Sequence, residues 1–328
     1  MTGISDAKIW VLTDGKAGHA NQCLGLASAL GVEPDIRRVE PGLPWSKLPP
    51  RLWLNPLRAA DPDRDRLVPP WPDIVIAAGR QTVAPALAIK SASGGRTFCV
   101  QVQDPVSRRA RFDVIAAPRH DGLSGDNVVQ TSGALTGITE AVLAAAADRF
   151  ADTLASLPRP LVAVLIGGSN GQYRMTEASI TNLAAGLKRL SADHGAGLAL
   201  TASRRTGEEN EALLRGGLAG TAWWFWDGQG DNPYLGLLAL ADAIVVTADS
   251  VSMVSEACST GKPVYVAGLD GGSDKFDHFH AHLRDQGMTR PFDGALESWT
   301  YEALRDTENV AEEVVRRYTA FASARAAS

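Results

Sequence analysis

AIVVTADSVSMVSEACSTGKPVYVAGLDGG, residues 243 to 272, decides the fold. Ile244, Val245 and Val246 form a short continuous apolar run, as expected of a strand buried on both faces. Thr247 to Ser250 turns the chain, and Ser250 is a residue type that caps a helix N-terminus. Val251, Val254 and Cys258 then recur at three- and four-residue spacing, which gives a helix one apolar face. Gly261 ends that helix, Pro263 follows it, and Val264 to Ala267 is the next strand. Strand, helix and strand in this order build a parallel sheet, whose ligands sit beyond the carboxyl ends of the strands.

The polar side of the same helix carries candidate chemistry. Ser252 and Glu256 lie four residues apart and share a face. Ser250, Ser252 and the first free backbone N–H groups stand where a phosphate would rest. Glu256, one turn in, is placed to accept the hydroxyl hydrogens of a ribose. The plainer alternative is a capped helix with a solvated glutamate.

Working outward, 328 residues suffice for two domains, and 45% hydrophobic with 21% charged residues is the composition of a packed globular protein. A net charge of -5 leaves no basic excess for general nucleic-acid binding. Cys23, Cys99 and Cys258 are far apart in apolar contexts and read as buried thiols, neither a disulfide framework nor a zinc site. No secretory signal or bilayer-length apolar run is visible, so a cytoplasmic protein is expected, with peripheral contact at the inner face of a membrane kept open.

Toward the N-terminus, Lys8 to Leu12 reads as the first strand and Thr13-Asp14-Gly15-Lys16-Ala17-Gly18-His19 as the loop after it. An acid, a base and an imidazole fall within six residues, and His19 is a candidate general base or electrostatic stabiliser. Helix capping by Asp14 and His19 is the alternative. Residues 41 to 72 carry nine of the eighteen prolines and Trp45, Trp53 and Trp71. That density excludes regular helix or central strand and predicts an ordered excursion packed on the domain, with a membrane or protein contact as the second option. Asp61-Pro62-Asp63 spells a D-x-D that reads as chance there. Further strand ends deliver Gly79 with Arg80, Gln103 with Asp104, and His120.

Pro158 and Pro160 after the Ala-rich stretch 138 to 156 suggest a domain boundary. The expected division is 1–157, an N-terminal Rossmann-like domain on the acceptor side; 158–305, a nucleotide-side domain; and 306–328, a C-terminal helix and tail. Gly167, Gly168, Ser169, Asn170 and Gly171 follow a strand and precede a helix, so their amides are candidates to wrap a diphosphate. Arg204 and Arg205 at the next strand end are candidates to neutralise it. His278 and His282 stand at i, i+4, but no acidic or cysteine partner supports a metal site.

Two α/β halves, each with a glycine-bearing loop, resemble the GT-B glycosyltransferase architecture, two Rossmann-like domains facing across a cleft. GGSNG at 167 to 171, and Ser250 to Glu256 followed by Gly261-Lys262-Pro263, resemble the phosphate loop and nucleotide segment of the lipid-intermediate N-acetylglucosaminyltransferase of peptidoglycan synthesis. Over nearly the whole chain, TDGKAGHANQ (13–22), QVQDP (101–105), GGSNGQY (167–173), SRRT (203–206) and KFDHFH (275–280) resemble the mitochondrial-fission family of the elongated-mitochondria type. The N-terminus lacks an organelle-targeting pattern, so a bacterial member is expected.

The resemblance implies a nucleotide-sugar as substrate, a UDP-linked one among the candidates, with no metal or other cofactor. Gly167, Gly168, Ser169, Asn170, Arg204, Arg205, Ser250, Ser252, Glu256 and Asp104 are the expected binding residues, and His19, Asp14 and Lys16 the expected catalytic ones. It also implies the alternative of a non-catalytic scaffold that acts by recruitment at a membrane or protein partner.

Overall fold

The computed structural model describes residues 4–61, 63 and 66–326, and the chain divides into two units. One takes in the chain up to Gly137 together with the segment from Arg305 onward; the other is Ile138–Leu304. The division falls well before residue 157, and the C-terminal segment belongs with the first unit.

Six parallel strands form the sheet of the first unit: β1 (Ile9–Thr13), β2 (Asp35–Arg38), β3 (Ile74–Ala78), β4 (Phe98–Val102), β5 (Val114–Pro118) and β6 (Val128–Thr131). They lie in the order β2-β1-β3-β4-β5-β6. Helices α1 (Ala17–Ala29), α2 (Pro56–Ala60) and α3 (Arg80–Ala92) connect them. Side chains alternate along β1 as a strand of period two requires. Ile9 and Val11 pack with Cys23 and Leu26 of α1 and with Val310 and Val314 of the C-terminal helix, Asp306–Ala326. Trp10 and Leu12 pack on the other side with Val83 and Leu87 of α3 and with Trp53 and Leu67 of the proline-rich excursion.

That excursion is an ordered cover over the sheet. Trp71 meets the buried Trp10 edge-on at 6.0 Å, and Trp45 lies 6.5 Å from Trp53. The indole N–H of Trp53 donates to the Leu48 carbonyl at 3.2 Å. Asp61 is buried and accepts the amides of Arg66 and Leu67 at 2.9 and 2.8 Å, so it ties the loop together and offers no metal ligand; Pro62 of the D-x-D lies outside the described residues. The C-terminal helix is pinned at its start. Asp306 accepts the amides of Ser132 and Gly133, both at 2.8 Å, and Thr307 exchanges two hydrogen bonds with the Thr136 backbone. Farther along, Tyr318 and Phe321 set their rings edge-on to Phe98.

The second unit opens with α4 (Glu140–Leu154), the Ala-rich helix assigned from sequence to the first domain. Ala146, Phe150 and Leu154 form its buried stripe at four-residue spacing. It packs against α7 (Tyr234–Leu240), where a side chain on Gly236 would collide with Phe150. The unit's main sheet contains β7 (Leu161–Ile166), β9 (Gly197–Ala202), β10 (Trp223–Phe225), β11 (Ala243–Thr247), β12 (Val264–Ala267) and β14 (Thr289–Pro291). A short antiparallel pair of two-residue strands, β8 (Tyr173–Arg174) with β13 (Asp270–Gly271), stands apart from it. The remaining helices are α5 (Glu177–His194), α6 (Glu208–Gly217), α8 (Val251–Cys258) and α9 (Asp274–Asp285).

All main-sheet pairs are parallel, in the order β10-β9-β7-β11-β12-β14. Leu161, Ala163 and Leu165 of β7 face one apolar layer with α7 and α8, whereas Val162, Val164 and Ile166 face the layer with α5 and α6. Both faces of the central strands are thus covered, which is why they read as unbroken apolar runs.

Candidate functional site

Parallel sheets open a crevice where successive connections leave a strand in opposite directions, and ligands bind there at the carboxyl ends. In the second unit this switch point lies between β7 and β11, paired neighbours whose next connections run outward to β9 and to β12. The loops after these two strands hold Gly167–Asn170 and Ala248–Ser250, the segments singled out in the sequence.

Their meeting point is Asp249, whose side chain is fully buried. Its Oδ2 accepts the Gly168 amide at 3.0 Å and pairs with the Arg205 guanidinium at 2.8 Å. Its Oδ1 accepts the Thr247 hydroxyl at 2.7 Å, while Thr247 Oγ1 accepts the Gly167 amide at 2.8 Å. No side chain fits at either glycine: a Cβ would stand 2.2 Å from Asp249 Oδ2 at Gly167, and 2.2 Å from the Arg205 carbonyl at Gly168, whose φ is +157°. Asn170 donates to the Asp249 carbonyl at 3.0 Å and accepts the amides of Gln172 and Tyr173; Ser169 Oγ accepts the Met175 amide at 3.0 Å.

The glycine loop therefore differs from the expected phosphate wrap. The amides of Gly167 and Gly168 are spent on Thr247 and Asp249. What the loop does instead is hold Arg205, which also donates to the Gly168 carbonyl at 3.2 Å and keeps 41% of its side chain in solvent. Arg204, beside it, is exposed.

Along α8 the cap forms as expected, with Ser250 Oγ accepting the Met253 amide at 3.3 Å. Ser252 is half-buried. Glu256, also half-buried, is bonded to a residue the sequence did not suggest: the Tyr234 hydroxyl donates to its Oε2. Burial pushes the Glu256 carboxyl above the usual carboxylate range, with the Tyr234 bond working against that rise. Burial, then the Glu256 charge and their hydrogen bond, push the Tyr234 phenol well above its ordinary value. His280 on α9 borders the same turn. Its Nε2 lies 2.9 Å from the Ala248 carbonyl, which can only accept, so Nε2 carries the hydrogen and Nδ1 is a buried atom with no partner among the described residues. Burial pulls this imidazole below its ordinary value.

In the first unit the switch point lies between β1 and β3. The loop after β1 brings Asp14, Lys16 and His19 together. Asp14 Oδ1 is 3.0 Å from His19 Nδ1, and Lys16 Nζ is 3.7 Å from Asp14 Oδ2. An ionised carboxylate only accepts, so Nδ1 carries the hydrogen and Nε2 keeps its lone pair. Gly79, after β3, has φ +81°, and a Cβ there would stand 2.5 Å from the His19 ring; the imidazole lies against bare backbone. Asp104 has a different role from the expected one. It binds Arg109 through both oxygens at 2.9 and 2.6 Å and accepts the Val106 amide, which fixes its own loop.

Cys23, Cys99 and Cys258 are buried free thiols, and burial pushes Cys99 up to about 12. Among the described residues no group of three or more His, Cys, Asp and Glu is placed to hold a metal ion, His278 and His282 included. No helix among them is long and apolar enough to cross a membrane.

The family model described as mitochondrial fission ELM1 matches residues 17–318. The chain belongs to the mitochondrial fission ELM1 family. It is 38% identical over 276 residues to the mitochondrial fission protein ELM1 of Arabidopsis thaliana, covering 76% of this chain and 64% of that protein; it thus spans a little under two thirds of the relative's length. Among solved structures it is similar to UDP-GlcNAc 2-epimerase from Methanocaldococcus jannaschii, with a TM-score of 0.54, 12% identity, and coverage of 95% of this chain and 99% of that one. The enzyme of that name from Neisseria meningitidis, solved bound to UDP-GlcNAc, gives 0.51 at 14% identity, covering 94% and 99%. These likenesses establish the GT-B-like α/β fold expected from the sequence.

Proposed function

We propose that the second unit binds a nucleotide-sugar at the β7/β11 switch point, and that the protein is a metal-independent glycosyltransferase or a descendant that keeps the binding step. The observation that carries this is Arg205, held by Asp249 over the Gly168 loop with its outer face in solvent. A guanidinium fixed in this way offers forked donors to a diphosphate without further ordering. Ser250 and Ser252 line the path to Glu256, which accepts from the ribose. The two epimerases are named for a UDP-sugar, which favours that donor class, although fold alone never supplies a substrate.

In the first unit, His19 Nε2 would take the proton from an acceptor hydroxyl while Asp14 holds the ring and stabilises the imidazolium. Lys16 adds positive charge at the same loop. Arg205→Ala is expected to lower nucleotide-sugar affinity by about 1–3 kcal/mol, the usual cost of a lost charged hydrogen bond. His19→Ala should leave that affinity intact and reduce release of the nucleotide by about 10²–10⁴-fold. In a protein that only binds, the Arg205 effect stands alone. Unchanged affinity in Arg205→Ala refutes the assignment.

A second reading is favoured by the excursion. Leu43, Leu52 and Leu54 are exposed at 74%, 51% and 75%, and the surrounding stretch 41–60 has Lys47, Arg51 and Arg58 but no acidic residue. Such a surface suits recruitment to a membrane or protein. Trp53 is core, so the informative variant is Leu43→Ser with Leu54→Ser, assayed by sedimentation with anionic vesicles. Loss of sedimentation supports recruitment, and no change removes it.

A further inference from the structure

The structure points to Tyr234 as the residue that positions Glu256 for a ribose and so makes the site discriminate ribonucleotides from 2′-deoxyribonucleotides. This rests on the nucleotide-binding reading above and deepens it. We propose the role because a lone glutamate on a helix face samples several rotamers, each a loss of binding free energy when one must be chosen. The hydrogen bond from Tyr234 removes that freedom. It comes from the first residue of α7, a short helix buried through Gly236, Leu237 and Leu238, so the donor itself is fixed.

The lone-pair count allows the function. An ionised carboxylate has about four acceptor positions on its two oxygens. Tyr234 uses one on Oε2. Oε1 and the remaining position on Oε2 are enough for two neighbouring hydroxyls of one sugar ring, a cis-diol. A site built to receive a hydroxyl penalises the analogue that lacks it, because the acceptor is left unpaired in a desolvated place. Burial around Glu256, seen in its raised carboxyl pKa, is the condition that makes this penalty large.

Several other titratable groups of the elements around α8 have partners of their own, while His280 bonds the Ala248 carbonyl and not Glu256. Asp249 is paired with Arg205, Lys262 donates to the carbonyls of Leu238 and Ala239, Tyr265 is bonded to the Glu297 backbone, and the Cys258 thiol is buried and pushed upward. Among the described residues, Tyr234 is the side chain bonded to the Glu256 carboxyl.

The test is calorimetric titration of the full chain with UDP and 2′-deoxy-UDP, repeated with GDP and ADP and their 2′-deoxy forms, in wild type, Tyr234→Phe, Glu256→Gln and the double variant. Wild type is expected to prefer the ribose form by about tenfold or more. Tyr234→Phe should lose most of that preference by weakening the ribonucleotide while the deoxynucleotide is bound as before. The double variant should match Glu256→Gln, since Tyr234 acts through it.

A purely structural Tyr234 would weaken both nucleotides alike and add its effect to that of Glu256→Gln, which overturns the proposal. Preserved preference in Tyr234→Phe overturns it too, leaving nucleotide binding intact. Wild type that binds none of the six nucleotides overturns the nucleotide reading itself and the inference with it. Should Tyr234→Phe fail to fold by melting temperature, Tyr234→His, which keeps a ring and an N–H donor, must discriminate better than Glu256→Gln; equality overturns the proposal.

Discussion

Asp249 has no solvent-exposed side-chain surface, yet it bears the contacts that shape the switch point: the Gly168 amide from the loop after β7, the Thr247 hydroxyl at the end of its own strand, and the Arg205 guanidinium. Replacing it by Ala leaves the Gly168 amide and the Thr247 hydroxyl without their acceptor. A loss of about 1–3 kcal/mol of stability is expected, read from the urea midpoint, and Arg205 loses its orientation with it. A variant within about 0.5 kcal/mol of wild type contradicts that account.

Local signals made other residues legible. Ser250 was readable as a cap because its partner is three residues on, and Asp14 with His19 because both lie in one loop. Asp249 joins Gly168 across 81 positions and Tyr234 joins Glu256 across 22, separations that no spacing rule spans. Asp104 misled because a strand-end carboxylate looks the same whether it faces a ligand or, as here, Arg109.

At the scale of elements, α7 shows how a short helix is held. Lys262 donates to the carbonyls of Leu238 and Ala239 at its C-terminal end, and burial lowers its amine from the ordinary 10.5 to about 8. A neutral amine still has hydrogens for both carbonyls. Between about pH 8 and 10.5 the unfolded chain keeps this proton and the folded chain sheds it. The unfolded state then binds more protons, so stability rises with pH across that window. Urea midpoints from pH 8 to 10 should climb more steeply in wild type than in Lys262→Met; equal slopes contradict the assignment.

The C-terminal helix depends on Asp306 in a comparable way. Asp306→Ala frees two amides and is expected to cost about 1–3 kcal/mol, measured by thermal unfolding. A melting temperature unchanged from wild type would remove that role. The central strands of both sheets were legible because burial on two faces leaves an apolar run. The side of the boundary on which α4 falls was not, because Pro158 and Pro160 look like a linker while Phe150 against Gly236 decides the packing.

Across the whole chain, the two sheets differ in strand order but share one consequence. The loops after β1 and β7, the first strands of each, both stand at a switch point, which is why glycine-bearing first loops stood out in a sequence that has no dinucleotide fingerprint. Membership of the ELM1 family and a GT-B-like fold follow from the comparisons, and they leave the ligand as the central question. The most direct measurement is a thermal shift of the full chain against UDP-, GDP-, CMP- and ADP-sugars, with no metal added. A ligand at a hundred times its dissociation constant adds about 2.7 kcal/mol to the folded state. The account predicts a raised melting temperature with one nucleotide class, diminished in Arg205→Ala and in Glu256→Ala. A melting temperature that stays flat across the panel contradicts it.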